Sequence, residues 1–270
     1  GRDAVSGFQQ AKNDTVDEVI AVAATEGIDA DIVKGGEFNV ARTPSQVGRM
    51  KAFYEAEAAW PVTNIELLDA SEAKAQINID KALGATWQPH CAKVNPAKLA
   101  RGLALAAERA GVVIYENTRV SEISSGVVRT DHGDVRAPAI VRATEGFTAN
   151  LRGEHRTWLP MNSSMIVTEP IPESVWDELG WTSGQVLGDY ANVYMYAQRT
   201  TDGRIAFGGR GVPYRYGSRV DTDGLTQERT IEALTGLLRS FFPAASGVGI
   251  DHAWAGVLGV PRDGAATIGF

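Results

Sequence analysis

The chain has a single cysteine, Cys91, among 270 residues, so no internal disulfide can form and a reducing cytoplasm is the expected setting. No apolar run reaches the ~18 to 20 residues that a membrane span needs, and no signal-peptide pattern opens the sequence. Histidines are few and scattered (His90, His132, His155, His252), and neither HExxH nor CxxC spacing occurs, so no metal site is expected. There is no G-x-S-x-G elbow and no Walker loop. The run Gly208-Gly209-Arg210-Gly211 follows a strand pattern and precedes Pro213, so it opens no helix and makes a poor phosphate cradle. Internal repeats, low-complexity tracts and flexible linkers are missing too. Excess positive charge is absent: the net charge is −7 and the pI about 5.2, which argues against nucleic acid or an anionic membrane as partner. What remains is ordinary for a globular protein, with 44% hydrophobic and 22% charged residues.

Helix and strand signals fill the chain. Apolar spacing predicts a helix over 5–26, closed by Gly27, and Gly35-Gly36 opens a strand over 38–41. Thr43 and Pro44 suit the cap and first position of a helix whose apolar face is Val47, Met50, Phe53, Tyr54 and Ala58. A strand at 65–68, a helix at 70–77 and a strand at 82–88 follow. Asn95 and Pro96 start another helix with a stripe of Leu99, Leu103, Ala106, Ala107 and Ala110, ended by Gly111. Short strands are expected at 112–115 and 118–123, then a meander over 127–142 whose last apolar strand, 139–143, runs into Ala143-Thr144-Glu145-Gly146-Phe147. Beyond it lie an extended stretch at 161–169, a short helix with Trp176 and Leu179 inward, and a hairpin of 193–200 with 204–209 over Asp202-Gly203. A helix at 226–242 and a strand at 250–258 complete the pattern.

The order of helix, strand, meander and Gly-containing turn between Asn95 and Phe147 resembles the second half of a dinucleotide-binding domain. Five further segments resemble the D-amino-acid oxidase (DAO) family of FAD-dependent oxidoreductases. Asp202-Gly203-Arg204 with Ile205 to Arg210 is similar to its "DGR…FGGR" hairpin. Asp251 to Gly256 is similar to its "H-x-W-x-G" strand, and Arg262-Asp263-Gly264 with Thr267-Ile268-Gly269 to its "xDGxPxIG" step. Thr15 to Val19 and Gly35-Gly36 to Ala41-Arg42 resemble the γ-glutamylputrescine-oxidase-like branch.

The resemblance implies an α+β/α/β fold: a partial, Rossmann-like FAD-binding domain with a β-meander, interleaved with an antiparallel-sheet substrate domain. Residues 1–33 would lead from a Gly-rich FAD motif not found in the chain. Residues 34–94 and 157–260 would build the substrate domain, and 95–156 and 261–270 the FAD domain. Both ends read as cut, at Gly1-Arg2 without an initiator Met and at Phe270. The implied cofactor is FAD, contacted by Val120 near the adenine and by Ala143, Thr144, Glu145 and Gly146 along the pyrophosphate. The implied reaction is oxidation of a C–N bond of a small amine or amino-acid derivative by hydride transfer to the flavin. A folded module that binds no flavin is the alternative.

Strand alternation places Tyr194 with Tyr196, and His252 with Trp254, on shared faces, making them candidates to line a substrate cavity. Arg210 could pair an anionic group of the substrate. Packing residues are the competing reading for each. His90-Cys91 would point to opposite faces of a strand, which disfavours a Cys–His nucleophile. The glycine-oxidase branch carries an arginine two positions after the "WxG" glycine, to grip the substrate carboxylate. Here Gly256 is followed by Val257 and Leu258, which cannot pair one, and that favours an amine or a conjugate with its acid group further away.

Overall fold

A computed structural model describes residues 1–182, 184–209, 214–220 and 223–265. In chain order the elements are α1 (Arg2–Thr25), β1 (Glu37–Ala41), α2 (Pro44–Ala58), β2 (Glu66–Leu68), α3 (Ala70–Gln76), β3 (Gly84–Gln88), α4 (Pro96–Arg109), β4 (Val120–Ser124), β5 (Val127–Thr130) and β6 (Gly133–Arg136). After these come β7 (Leu159–Thr168), α5 (Glu173–Leu179), β8 (Val186–Asp189), β9 (Met195–Arg199), β10 (Ile205–Gly209), α6 (Glu228–Phe241) and β11 (Ile250–Val260).

Local chemistry sets the helix boundaries. Thr43 accepts from Gln46 N ahead of Pro44, and Asn95 accepts from Lys98 N at 3.2 Å ahead of Pro96, so each cap satisfies an N–H that the helix leaves unpaired. Asp69 and Glu72 form a reciprocal capping box on α3. Gly203 turns the β9–β10 hairpin with φ +74°, a conformation glycine adopts without steric cost.

Eight strands make one sheet in the order β11-β7-β10-β9-β8-β1-β3-β2, and β4-β5-β6 form a separate antiparallel meander. The large sheet is antiparallel except where β1 and β8 run parallel, which corrects the purely antiparallel expectation. A hairpin turn dictates polarity locally, whereas β1 and β8 meet through a long crossover that no turn signal announces. One face carries a continuous apolar row: Trp87, Phe38, Leu187, Ala197, Phe207, Ile166 and Ala253. Against it pack Trp176 and Leu179 of α5 and Leu234, Leu238 and Phe241 of α6, with Trp181 stacked on Phe242 at 5.8 Å. Each such large side chain, taken from water, stabilises the fold by roughly 1.5–3 kcal/mol.

Two expected strands are not formed. Residues 112–115 and 139–143 have no strand assignment, and the meander ends at Arg136 rather than 142. A strand exists only through its ladder, and among the described residues neither segment has one. Val113, Tyr115 and Val141 are accordingly 69%, 74% and 90% exposed. Helix α4 buries no residue completely, despite its apolar stripe. In the hairpin, β9 begins at Met195, so Tyr194 precedes the strand it was expected to join. Arg210 and Thr267-Ile268-Gly269 lie outside the described residues.

Candidate active site

The face of the large sheet opposite the core carries polar and small residues in register. Thr86, Asn39, Gly188, Tyr196, Gly208, Met165 and Trp254 follow one another across seven strands. The two glycines keep this floor low. A Cβ at Gly208 would overlap the Tyr196 ring, standing 2.7 Å from Cζ and 2.9 Å from Cδ2, and one at Gly188 would overlap Asn39 Oδ1. The Tyr196 ring therefore lies across β10, and its hydroxyl reaches the Ser163 hydroxyl of β7. Tyr194 stands beside it with ring centroids 6.3 Å apart, so the expected pairing of the tyrosines holds in space although only one is in the strand. His252 and Trp254 stack at 6.0 Å, and both belong to the same face of β11. His252 is exposed and Trp254 half-buried, so neither is a core residue.

At the β1–β3 end of this face, Tyr190 OH meets Thr86 Oγ1 at 2.6 Å and the Tyr190 ring packs on Phe53 at 5.9 Å. Burial, first of all, pushes the Tyr190 phenol up to about 12. Asp189 is raised for the same reason, although its carboxylate accepts from Met195 N at 3.1 Å. No local pattern announces the Thr86–Tyr190 pair: Thr86 lies on β3, and Tyr190, far along the chain, directly follows β8. His90 and Cys91 follow the end of β3 instead of sitting within a strand. His90 Nε2 bonds Asn64 Oδ1 at 2.8 Å, while burial raises the Cys91 thiol, so they do not form a nucleophilic couple.

The residues implied for FAD sit around the turn before the short 3-10 helix Glu145–Asn150. Val120 and Thr144 line one cavity of about 430 Å³ with Arg119, Phe147, Asn150 and Asp223. Ala143 and Glu145 line a second, of about 450 Å³, with Arg142, Trp158, Gly259 and Pro261. Gly146 is buried for another reason. A Cβ there would stand 2.6 Å from Val257 Cγ1 and 2.8 Å from Val257 O, so its close approach is to β11. The carboxylate of Glu145, at φ +45°, accepts the Gly259 N–H on that strand. Both cavities fall within the ~300–1,000 Å³ range of small-molecule sites. Their mix of backbone, one arginine each and an apolar wall fits a portion of a dinucleotide. The helix N-terminus after a Gly-rich turn, which usually holds the pyrophosphate, is not encoded in residues 1–270.

Residues 6–270 match the family described as "FAD dependent oxidoreductase" (DAO), and the chain belongs to that family. It is 29% identical over 234 residues to the gamma-glutamylputrescine oxidoreductase of Escherichia coli (strain K12), covering 85% of this chain and 52% of that protein. The chain thus spans about half the length of the curated relatives it matches (52% and 44% for two of them). Glycine oxidase from Geobacillus kaustophilus superimposes with a TM-score of 0.76 at 22% identity, over 97% of this chain and 68% of that one. L-Proline dehydrogenase from P. horikoshii gives 0.77 at 18%, over 97% and 69%. These likenesses show a mixed sheet with helices in the FAD-dependent oxidoreductase fold. No helix among the described residues is long and apolar enough to cross a membrane.

Proposed function

We propose that this chain supplies the substrate-facing sheet and part of the cofactor site of a flavoenzyme that oxidises a C–N bond of a small amine or amino-acid derivative. The observation that carries this reading is the row of Thr86, Asn39, Tyr196 and Trp254 over a floor flattened by Gly188 and Gly208. In this reading residues 34–94 and 157–260 form the substrate domain, and 95–156 with 261–270 belong to the cofactor domain. Val120, Ala143 and Thr144 would lie along FAD, with Glu145 and Gly146 fixing their turn against β11. When bound, the flavin supplies the electron sink for the hydride.

The chain's own residues orient and desolvate. Tyr196, hydrogen-bonded to Ser163, presents a hydroxyl fixed in direction, and Tyr194 and Trp254 are aromatic walls that exclude water. Exposed His252 is the ionisable candidate at the rim, and Arg210, outside the described residues, stays a candidate on the sequence alone. Leu258 shares the Trp254 face of β11, which offers an aliphatic group where an α-carboxylate would need a cation. The substrate is therefore an amine, or a conjugate with a remote acid group. A lone cysteine and net negative charge suit a cytoplasmic protein without a nucleic-acid partner.

Anaerobic mixing of the flavin-loaded enzyme of which this chain supplies a part with a panel of amines and α-amino acids tests this. Loss of the visible flavin absorbance with amines, faster than with glycine or alanine, is expected. Preferential reduction by simple α-amino acids, or none by any C–N substrate, would refute it.

A further inference from the structure

On the polar face of the large sheet two rows run side by side across β3, β1, β8 and β9. Thr86, Asn39, Gly188 and Tyr196 form one, and Gln88, Glu37, Val186 and Gln198 the next. Their polar side chains are mostly paired already. Thr86 meets the Tyr190 hydroxyl, Tyr196 meets the Ser163 hydroxyl, Gln88 Nε2 donates to the Glu37 carboxylate, and Gln198 Nε2 donates to Val94 O at 3.1 Å. Asn39 is the exception. Its half-buried side-chain amide makes no hydrogen bond among the described residues, and its Oδ1 lies over Gly188, in the space that a Cβ there would fill. An amide carries an acceptor oxygen and two N–H donors, so this one keeps its whole capacity for a ligand.

Glu37 lies on the same side of β1, two positions away, roughly 7 Å at ~3.3 Å per residue. Its carboxylate accepts from neutral Gln88, and among the described residues no lysine or arginine pairs with it. That charge is felt across this end of the face: after burial, it is one of the causes that raise the Tyr190 phenol and the Cys91 thiol.

We propose that Asn39, backed by the negative charge of Glu37, binds a second, remote ammonium group of the substrate, which is then a diamine or longer polyamine and not a conjugate with a remote acid. This inference rests on the reading of this face as substrate-facing. The amide oxygen accepts from the ammonium in a charge-assisted bond, and Glu37 favours a cation over an anion at that position. Asn39 and Tyr196 stand two strand spacings apart, roughly 10 Å at ~4.8 Å each, and the Asn39 side chain reaches across Gly188 toward β9. A chain of about five carbons between two nitrogens, at ~1.5 Å per bond, spans the remaining gap. One nitrogen then reaches Asn39 while the carbon beside the other lies over the aromatic part of the floor.

Isothermal titration of the flavin-loaded enzyme of which this chain supplies a part, with cadaverine, pentylamine and δ-aminovalerate, tests it, and anaerobic flavin reduction by each amine is the second readout. Cadaverine is expected to bind about tenfold more tightly than pentylamine, the scale of a hydrogen bond to a charged group, and δ-aminovalerate more weakly than either. Asn39→Ala should bring the preference for cadaverine over pentylamine to within about twofold, and Glu37→Gln should cut it about three- to fivefold, the scale of an exposed charge pair. Circular dichroism checks that each variant remains folded. No preference for cadaverine, a preference unchanged in both variants, or tighter binding of δ-aminovalerate overturns the proposal. If pentylamine reduces the flavin and cadaverine has no advantage, the subsite fails while C–N oxidation stands. If cadaverine binds selectively through Asn39 and no amine reduces the flavin, the subsite stands and the oxidation reading fails.

Discussion

Replacing Gly208 by alanine tests whether the low floor of the sheet exists to seat Tyr196. The added methyl would overlap the ring, 2.7 Å from Cζ, so either the ring or the strand must move. Gly208 is paired on both sides, with Tyr196 on β9 and Met165 on β7, which leaves the ring as the part that yields. Overpacking of this kind costs about 1–3 kcal/mol, and a half-buried ring places it in the lower half of that range. Displacing the ring also breaks its hydroxyl contact with Ser163, adding about 1 kcal/mol. Urea unfolding should therefore show a loss of about 2–3 kcal/mol with an unchanged m-value. In a Tyr196→Ala background the obstacle is gone. There Gly208→Ala should cost nothing or stabilise by about 0.4–1 kcal/mol through the unfolded chain. The double-mutant cycle should return a coupling of about 2–4 kcal/mol. Equal costs in the two backgrounds would show that Gly208 answers to some other constraint and that the ring is not seated on it.

Tyr190, raised to about 12, stays protonated in the folded protein after an unfolded-chain tyrosine has ionised near 10. Its contribution to stability is therefore complete below about pH 10 and lost as pH rises toward 12. Tyr190→Phe should remove that part of the alkaline loss and the latest-titrating phenol in the ultraviolet absorbance. Glu145→Ala loses the acceptor for Gly259 N–H while keeping a strained φ, and should destabilise by about 1–3 kcal/mol in thermal unfolding; Glu145→Gln, which retains an oxygen acceptor, should recover at least half of this. Titration of residues 1–270 with FAD should give no binding at micromolar concentration, because Val120 and the 143–146 turn offer only part of a dinucleotide's contacts. Micromolar or tighter binding would place the nucleotide elsewhere than argued.

What the sequence disclosed was what short-range chemistry controls. The Thr43-Pro44 and Asn95-Pro96 helix starts, the Asp202-Gly203 hairpin and the inward Trp176 and Leu179 are each decided within a few residues, and all are present in the fold. The aromatic face of the candidate site was partly legible for the same reason, since alternation pairs His252 with Trp254 along one strand. The rest depends on contacts across the chain. Residues 112–115 and 139–143 are as apolar as true strands, but apolarity does not supply a hydrogen-bonding neighbour. Strand β8 is four residues long and sits between β9 and a distant, parallel β1, while the Thr86–Tyr190 bond joins residues 104 positions apart. No local pattern encodes such a meeting.

The turn at Glu145-Gly146 shows how a correct local inference can acquire a different partner. A glycine there signals close approach, and close approach is what the structure contains, but the approaching backbone is that of β11. Gly259 answers from the strand: a Cβ there would stand 2.9 Å from the Glu145 carbonyl carbon. Two glycines thus face each other's chain segments, and the Glu145 carboxylate fastens one of them through its N–H. A left-handed non-glycine residue costs about 1–3 kcal/mol, and a charge-assisted hydrogen bond returns about 1.5–3 kcal/mol, so the strained turn is held at little net cost. The consequence is mechanical. The segment that lines the cavities at Thr144 and Ala143 is locked to the strand that carries His252 and Trp254. A displacement of the turn is therefore passed to β11, the edge strand of the eight-stranded sheet, through a contact made with the chain's own backbone.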